Sequence, residues 1–142
     1  MDFIGKKYKL ISSENFDEFM KVMGVGLMVR KLANAVTPIV ELRKEGDEYN
    51  LVTSSVFKTT EMKFKVGEEF DEAEAVGAKS VCTFEGCTLK KVQKTADGSL
   101  VTYIREFGPK DLKTTMIAKD VICTRIYKAV DDSHPKTYRV LG

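Results

Sequence analysis

The sequence predicts an all-β fold, a sandwich or an antiparallel barrel, with two short helices as a cap at one end. The chain carries about ten short segments rich in β-branched and apolar residues, at a spacing of about 8–12 residues. Turn signals built from Gly, Pro, Asp and Glu separate these segments. Two amphipathic segments with helical spacing interrupt the series after the first strand. A length of 142 residues favours a single domain with a core or an enclosed cavity.

The first strand and both helices are predicted before Pro38. A strand fits residues 6–11, and residues 13–15 offer Ser and Asn side chains that can cap a following helix. The first helix has one apolar stripe at positions i, i+3, i+4 and i+7, made of Phe16, Phe19, Met20 and Met23. Two glycines end this helix, and a second helix is predicted from residue 27 to about residue 34. The stripe suits helix packing as well as contact with a ligand.

The remaining segments alternate strands with tight turns. Strands are predicted at residues 39–43, 49–54, 59–66, 69–71, 78–84, 87–93, 100–107, 112–118 and 120–128. A turn centred on residues 85–86 would place Phe84 opposite Cys87 and leave Cys82 on the diagonal. Diagonal neighbours are about 7–8 Å apart, which is too far for an easy disulfide. The last residues lack a strand pattern, so we take 1–130 as the domain and 131–142 as an appendage.

Composition and charge exclude several function classes. The 23 Lys and Arg residues against 21 Asp and Glu residues give a net charge of +2, so we expect no nucleic-acid partner. No apolar run reaches about eighteen residues and residues 1–7 lack a signal core, which predicts a cytoplasmic protein without a membrane span. Three cysteines without zinc spacing predict reduced thiols, no metal site and no cofactor. The single histidine, His134, leaves no base-activated nucleophile, so we expect no enzyme activity.

Two of the predicted strands carry an arginine on a face with large apolar residues. Arg125 shares a face with Tyr127, and Arg105 shares a face with Tyr103 and Phe107, because residues i and i+2 of a strand point the same way. If the last three strands are sequential neighbours, the two arginines lie about 10 Å apart and can reach one anion. A buried guanidinium needs an anionic partner, and arginine suits a carboxylate. The pattern leaves open whether these arginines pair with an internal Asp or Glu, or point outward.

The order and spacing of seven sequence blocks carry a family resemblance. The blocks are FIGKKYKL at 3–10, ENFDEFM at 14–20, GVG at 24–26, FKTT at 57–60, FKVGEEFDE at 64–72, IREF at 104–107 and CTRIYK at 123–128. With them, residues 1–130 resemble the intracellular fatty-acid-binding proteins, a calycin-type family of cytosolic lipid-binding proteins, and most closely the insect muscle type. The resemblance implies a ten-stranded antiparallel up-and-down β-barrel, or β-clam, with a helix-turn-helix lid at about residues 15–35.

The resemblance also implies a cargo and a set of binding residues. It implies binding and transport of one long-chain fatty acid, with the carboxylate held by Arg125 and Tyr127 while Arg105 assists directly or through water. The acyl chain would meet an apolar set of residues near the lid and the opening of the barrel. These residues are Phe16, Met20, Pro38, Phe57 and Ala75. Retinoids or other hydrophobic acids remain an alternative cargo.

Several features depart from the family pattern or extend it. Residues 76–79 replace the family's Asp-Gly-Arg turn, which puts a portal ion pair there in doubt. Arg30 and Lys31 suit a solvated face, or a basic lid that contacts anionic membranes transiently. A membrane-associating lipid-transfer module is therefore a second alternative. We expect a monomer, and we interpret Cys87 as an incidental free thiol in a turn.

Overall fold

The computed structural model describes residues 2–130, which form one ten-stranded antiparallel sheet and two helices. The strands are β1 (Lys7–Glu14), β2 (Ile39–Glu45), β3 (Glu48–Ser54), β4 (Thr59–Lys65), β5 (Phe70–Asp71), β6 (Lys79–Glu85), β7 (Thr88–Lys94), β8 (Leu100–Phe107), β9 (Asp111–Ala118) and β10 (Val121–Ala129). The helices are α1 (Phe16–Val22) and α2 (Leu27–Ala35). The predictions for residues 131–142, including His134, lie outside the described residues.

The first and last strands of the chain pair with each other in the middle of the sheet. The strand order is β4-β3-β2-β1-β10-β9-β8-β7-β6-β5, so β1 pairs with both β2 and β10. The β4 and β5 edges are not hydrogen-bonded to each other, which leaves a gap in the wall. The predicted ten-stranded β-clam with a helical lid is therefore confirmed. Within residues 2–130, neither helix is long and apolar enough to cross a membrane.

Strand alternation sends one set of side chains into the barrel. In β10 the inward residues Cys123, Arg125 and Tyr127 are buried, whereas Ile122 and Lys128 on the other face are exposed. This observation answers the question of facing that the sequence pattern left open. In β9 the predicted inward residues are all buried, and they are Leu112, Thr114, Met116 and Ala118.

Two buried clusters lie at opposite ends of β10. One is rich in aromatic residues, and in it the Phe3 ring stacks on the Phe107 ring with centroids 4.6 Å apart. The other lies beneath α1 and contains Phe19, whose ring meets Tyr103 edge-on. One end of the barrel therefore has an aromatic floor, and the other is covered by the helical lid.

The start of α1 differs from the prediction. Asn15 precedes the helix with a left-handed φ of 61°, and its side chain makes no capping bond to the helix. Instead its Nδ2 donates a hydrogen bond to the Ile122 carbonyl oxygen at 3.1 Å. The capping prediction was wrong because Asn15 joins the lid to β10.

The role expected for Arg30 was also wrong. Its Nε lies 3.0 Å from Asp17 Oδ1, and its Nη1 donates to the Val25 carbonyl oxygen at 2.7 Å. The ion pair links α2 to α1. It matters for the position of α2, because α2 has no buried residue to hold it in place. Lys31 is exposed as expected, so it stays available on the lid surface.

The hairpin between β6 and β7 is shifted by one residue from the prediction. Glu85 pairs with Thr88, so Gly86 and Cys87 form the turn and Phe84 lies opposite Leu89 rather than Cys87. Gly86 occupies the first central position with a φ of 60°, a conformation that glycine adopts without strain. The three cysteines in the described residues are free thiols.

Candidate ligand-binding cavity

The two arginines of the sequence argument lie on the same inner wall. Arg125 in β10 and Arg105 in β8 both pair with Thr114 of β9, one on each side. They are therefore two strands apart, as predicted, with backbones about 10 Å from each other. Thr114 has a short side chain and is itself buried, so it leaves room between them.

Arg125 is held beneath the lid by three neighbours. Its guanidinium carbon lies 3.7 Å from the centroid of the Phe16 ring, a cation–π contact with the first residue of α1. Its Nη1 donates to Ser13 Oγ at 3.3 Å, and its Nε donates to the Tyr127 hydroxyl oxygen at 3.4 Å. Because that oxygen accepts, the Tyr127 hydroxyl hydrogen can point to another acceptor. Together the guanidinium and the phenol form a donor site suited to a carboxylate.

A cavity of about 270 Å³ opens above this donor site. Five of the eight binding residues predicted from the sequence line it, and they are Phe16, Pro38, Arg105, Arg125 and Tyr127. Apolar groups from α2, β2 and β9 complete the walls, among them Ala33, Val40 and Met116. The cavity thus combines cationic donors with apolar walls.

The other three predicted residues lie elsewhere. Met20 is a buried residue of α1, within the lid, and Phe57 is 64% exposed in the turn between β3 and β4. Ala75 lines a separate cavity of about 340 Å³ that also contacts Val22 and Val76. These residues surround the lid and the opening rather than the head-group site.

A buried ion pair inside the barrel was missed by the sequence analysis. Lys91 Nζ lies 2.6 Å from Glu72 Oε1, with side chains only 7% and 8% exposed. Ser80 Oγ donates to the same carboxylate oxygen at 2.7 Å, and the Lys91 ammonium lies 4.1 Å from the centroid of the Tyr103 ring. The pair and Arg105 line a cavity of about 430 Å³ that reaches the gap between β4 and β5.

Electrostatics around the ion pair reflect burial and the nearby arginine. Burial alone would raise the pKa of Glu72, but the Lys91 charge and the hydrogen bonds from Lys91 and Ser80 outweigh it and lower that pKa. Burial and the Arg105 charge lower the pKa of Lys91 despite the attraction of Glu72. A lowered pKa favours the charged form of Glu72 but the neutral form of Lys91, because burial and the Arg105 charge both oppose the positive charge of Lys91. Burial also raises the pKa of Tyr103 to about 12, so its hydroxyl is protonated at neutral pH.

An ion pair joins the two turns that flank the predicted portal. Lys58 Nζ, after β3, lies 2.6 Å from Glu74 Oε1, after β5. This contact lies close to the divergent turn at residues 76–79, which lacks charged groups of the family pattern. In that turn Gly77 has a φ of 79°, and a Cβ there would approach Ala96 Cβ to 3.0 Å. The turn at residues 76–79 therefore depends on Gly77. The ionic contact across the portal is made by Lys58 and Glu74, which lie outside this turn.

The lid and the portal turns expose a set of large apolar side chains. Those on α2 are Leu27, Met28, Val29 and Leu32, and those on the turns are Val56, Phe57 and Val76. Surface patches of this kind on a small protein usually mark a contact site. A basic lid was one of the two interpretations of Arg30 and Lys31, whereas the described surface is largely apolar with Lys31 exposed beside it.

Comparisons with known proteins agree with this fold. A profile of the "Lipocalin / cytosolic fatty-acid binding protein family" matches residues 5–130. The chain belongs to this family. Of its relatives, the muscle fatty acid-binding protein of Schistocerca gregaria is 41% identical over 131 residues, covering 90% of this chain and 97% of the relative. The predicted resemblance to the insect muscle type is confirmed.

Other family members carry different names. Cellular retinoic acid-binding protein 1 of Homo sapiens is 43% identical over 129 residues, covering 84% of this chain and 93% of the relative. Sodium/calcium exchanger regulatory protein 1 of Doryteuthis pealeii is 46% identical over 129 residues, covering 88% and 95%. The crystal structure of the fatty acid-binding protein from brain tissue of Drosophila melanogaster is also similar, with a TM-score of 0.85 and 48% identity over 89% of this chain and 99% of that one.

Proposed function

We propose that this protein binds a long-chain fatty acid inside the barrel and carries it through the cytosol. The observation that supports this most directly is the buried Arg125 guanidinium beside the Tyr127 hydroxyl, at the wall of a cavity with apolar groups around it. Relatives named for fatty acids and for retinoic acid share the family, and both ligands are hydrophobic carboxylic acids.

The proposed mechanism has two energetic parts. Burial of the acyl chain contributes roughly 0.8 kcal/mol per CH₂ before the cost of ordering the ligand. The carboxylate accepts hydrogen bonds from Arg125 and Tyr127, and Arg105 assists through its positive charge. The apolar part supplies most of the affinity, and the charged part fixes orientation and favours acids over esters or alcohols.

The lid and the portal would control exchange of the ligand. Met20 on the buried face of α1, Phe57 in the β3–β4 turn and Ala75 in the β5–β6 turn are proposed to meet the acyl chain as it enters or leaves. Exchange requires α2 to move, and of the two helices in the described residues α2 is the one without a buried residue. The protein acts in this proposal as a monomeric carrier without catalytic activity.

Calorimetry with a matched pair of arginine variants tests the head-group assignment. Arg125→Met should weaken oleate binding by about 10- to 100-fold, because a hydrogen bond to a charged group contributes about 1.5–3 kcal/mol. Arg43→Met is the control, since Arg43 is exposed and pairs with Glu41 on the outside of β2. Unchanged affinity in the Arg125 variant, with normal folding, would show that the carboxylate binds elsewhere.

Retinoic acid is the alternative cargo within the same class. The named relative supports it, and the Arg125 and Tyr127 donors would suit its carboxylate equally. Mass spectrometry of lipid that co-purifies from the native source, followed by competition between oleate and retinoic acid, decides between them. Tighter binding of retinoic acid and its recovery from native protein would replace the fatty-acid proposal.

A transient membrane contact through the lid is favoured by the exposed apolar residues. Met28 is 75% exposed and Leu27 is 56% exposed, with Lys31 beside them. Insertion of these side chains, with a basic residue near anionic lipid headgroups, would bring the lid to a donor membrane. Met28→Glu should slow fatty-acid transfer from anionic vesicles without changing affinity in solution. Equal transfer rates for this variant and the wild type would exclude the contact.

A further inference from the structure

A lysine amine lies inside the barrel, in contact with a carboxylate and with two less polar groups. Lys91 is buried, and its Nζ lies 2.6 Å from Glu72 Oε1 and 3.6 Å from Met62 Sδ. The same ammonium lies 4.1 Å from the centroid of the Tyr103 ring. Lysine is seldom buried this deeply, because its charge is strongly hydrated in water. The proposed head-group contacts leave this amine without a role.

The amine borders a cavity that a hydrocarbon chain can enter. This is the 430 Å³ cavity that reaches the gap between β4 and β5, and its apolar lining comes from Leu51, Met62 and Phe70. Four further charged residues of the lining are exposed, and they are Glu61, Lys63, Asp71 and Glu74. The cavity is therefore apolar inside the barrel and charged where it meets solvent.

The buried ion pair can exchange a proton without losing its hydrogen bond. Transfer of one proton from Lys91 Nζ to Glu72 Oε1, across the 2.6 Å contact, yields an amine and a carboxylic acid. The lowered pKa of Glu72 keeps the ion pair as the resting form. Burial and the Arg105 charge lower the pKa of Lys91, which reduces the free energy needed to release the proton. The neutral amine so formed is the nucleophilic form of lysine.

We propose that Lys91 binds long-chain aldehydes covalently, as a reversible imine inside the barrel. The neutral Nζ attacks the carbonyl carbon, and a proton moves from nitrogen to the carbonyl oxygen to give a carbinolamine. Glu72 then donates its proton to the hydroxyl group, which leaves as water, and a C=N bond replaces the C=O bond. The product is a protonated imine beside the Glu72 carboxylate, so the buried ion pair is restored. This inference goes beyond the proposed function, because it uses neither the fatty-acid carboxylate nor its contacts.

The site favours a long-chain aldehyde over a short, water-soluble one. Burial of the chain in the cavity contributes roughly 0.8 kcal/mol per CH₂ before ordering costs. A chain that fills the cavity also excludes the water that would hydrolyse the imine. Lys90, the preceding residue, is exposed on the opposite face of β7 and has neither advantage. The two adjacent lysines are therefore an internal comparison.

Reductive trapping with hexadecanal tests the proposal. Delipidated wild-type protein is incubated with an equimolar amount of the aldehyde and with cyanoborohydride, which reduces the imine to a stable amine. Peptide mapping by mass spectrometry should find at least about ten times more alkyl label on Lys91 than on Lys90, because only Lys91 borders the cavity. Equal labelling of the two lysines would overturn the proposal. Without cyanoborohydride, dialysis should return the unmodified mass, and a permanent adduct would overturn the reversible imine.

Propanal is the matched control aldehyde. It should label the two lysines to within about threefold of each other, because its chain is too short to gain from the cavity. The same preference for Lys91 with propanal as with hexadecanal would overturn the assignment of long-chain aldehydes as the ligands.

A double variant and an oleate titration complete the test. Lys91→Met combined with Glu72→Gln leaves no unpaired buried charge, so this variant tests the loss of the amine in a folded barrel. Its total labelling by hexadecanal should fall to the level of the surface lysines, and wild-type labelling would overturn the proposal. Wild-type protein that binds oleate but carries no label on Lys91 would overturn this inference and leave the proposed function intact. Labelled protein that does not bind oleate would do the reverse.

Discussion

Replacing Lys91 by methionine should destabilise the ligand-free protein by about 3–5 kcal/mol, because the Glu72 carboxylate would stay buried without its counter-ion. This range for buried pairs applies because the two side chains are 7% and 8% exposed, so water screens their 2.6 Å contact little. Methionine has a similar length and fills the same space, but it lacks the ammonium that contacts Glu72, Met62 Sδ and the Tyr103 ring. The loss is therefore electrostatic rather than a cavity effect.

Urea denaturation of delipidated protein at neutral pH measures this effect. Adding Glu72→Gln to Lys91→Met should return the free energy of unfolding to within about 1 kcal/mol of the wild type, since no buried charge is then unpaired. Lys90→Met is the control, because Lys90 is exposed on the opposite face of β7. A single variant as stable as this control, or a double variant as unstable as the single one, would refute the reasoning.

Three further predictions concern the portal, acid stability and the thiols. Lys58→Met should speed fatty-acid release in stopped-flow measurements and reduce its salt dependence, because the ionic contact to Glu74 is lost; an unchanged rate would show that the portal opens elsewhere. The pKa of Glu72 is lowered in the folded state, so its stabilisation is present above the unfolded pKa of about 4.5 and disappears as pH falls through the folded pKa. The stability difference between wild type and Glu72→Gln should therefore shrink in acid denaturation series, and a constant difference would contradict this. A maleimide should label exposed Cys87 in the native protein but not Cys82, which is buried with its pKa raised to about 11; peptide mapping after labelling identifies the site.

Much of the barrel could be predicted because strand alternation and turn residues are local signals. The three strands ending in β10 were predicted as neighbours, and Arg105 and Arg125 do flank Thr114. Which face of β10 is inward could not be read from its own residues, since Ile122 is apolar and exposed while Arg125 is charged and buried. The family resemblance and the register of the sheet supplied that information.

The internal ion pair was missed because its residues resemble surface residues in the sequence. Lys91 follows another lysine, and a pair of lysines usually indicates a solvated strand. A signal was present, since Lys91 alternates with Leu89 and Gln93, and all three are buried on the same face of β7. Its partner Glu72 is distant in the sequence, and such a pairing depends on the tertiary fold.

Local errors had similar causes. The β6–β7 turn was misplaced by one residue, because Gly86 fits either of two central positions until the pairing of Glu85 with Thr88 is known. Arg30 was interpreted as solvated because its partner, Asp17, belongs to the other helix. Long-range contacts decided both cases.

The pairing of β1 with β10 has a consequence for synthesis and folding. The first strand of the barrel hydrogen-bonds to the last, so a growing chain exposes the β1 edge until residues 121–129 leave the ribosome. Contacts between such distant segments require closure of a long loop, which slows folding. Because Arg125 and Tyr127, the proposed head-group residues, belong to the last strand, the proposed binding site is complete only when β10 joins the sheet. A chain interrupted before β10 would have neither the head-group site nor a closed sheet, and its unpaired β1 edge would favour aggregation.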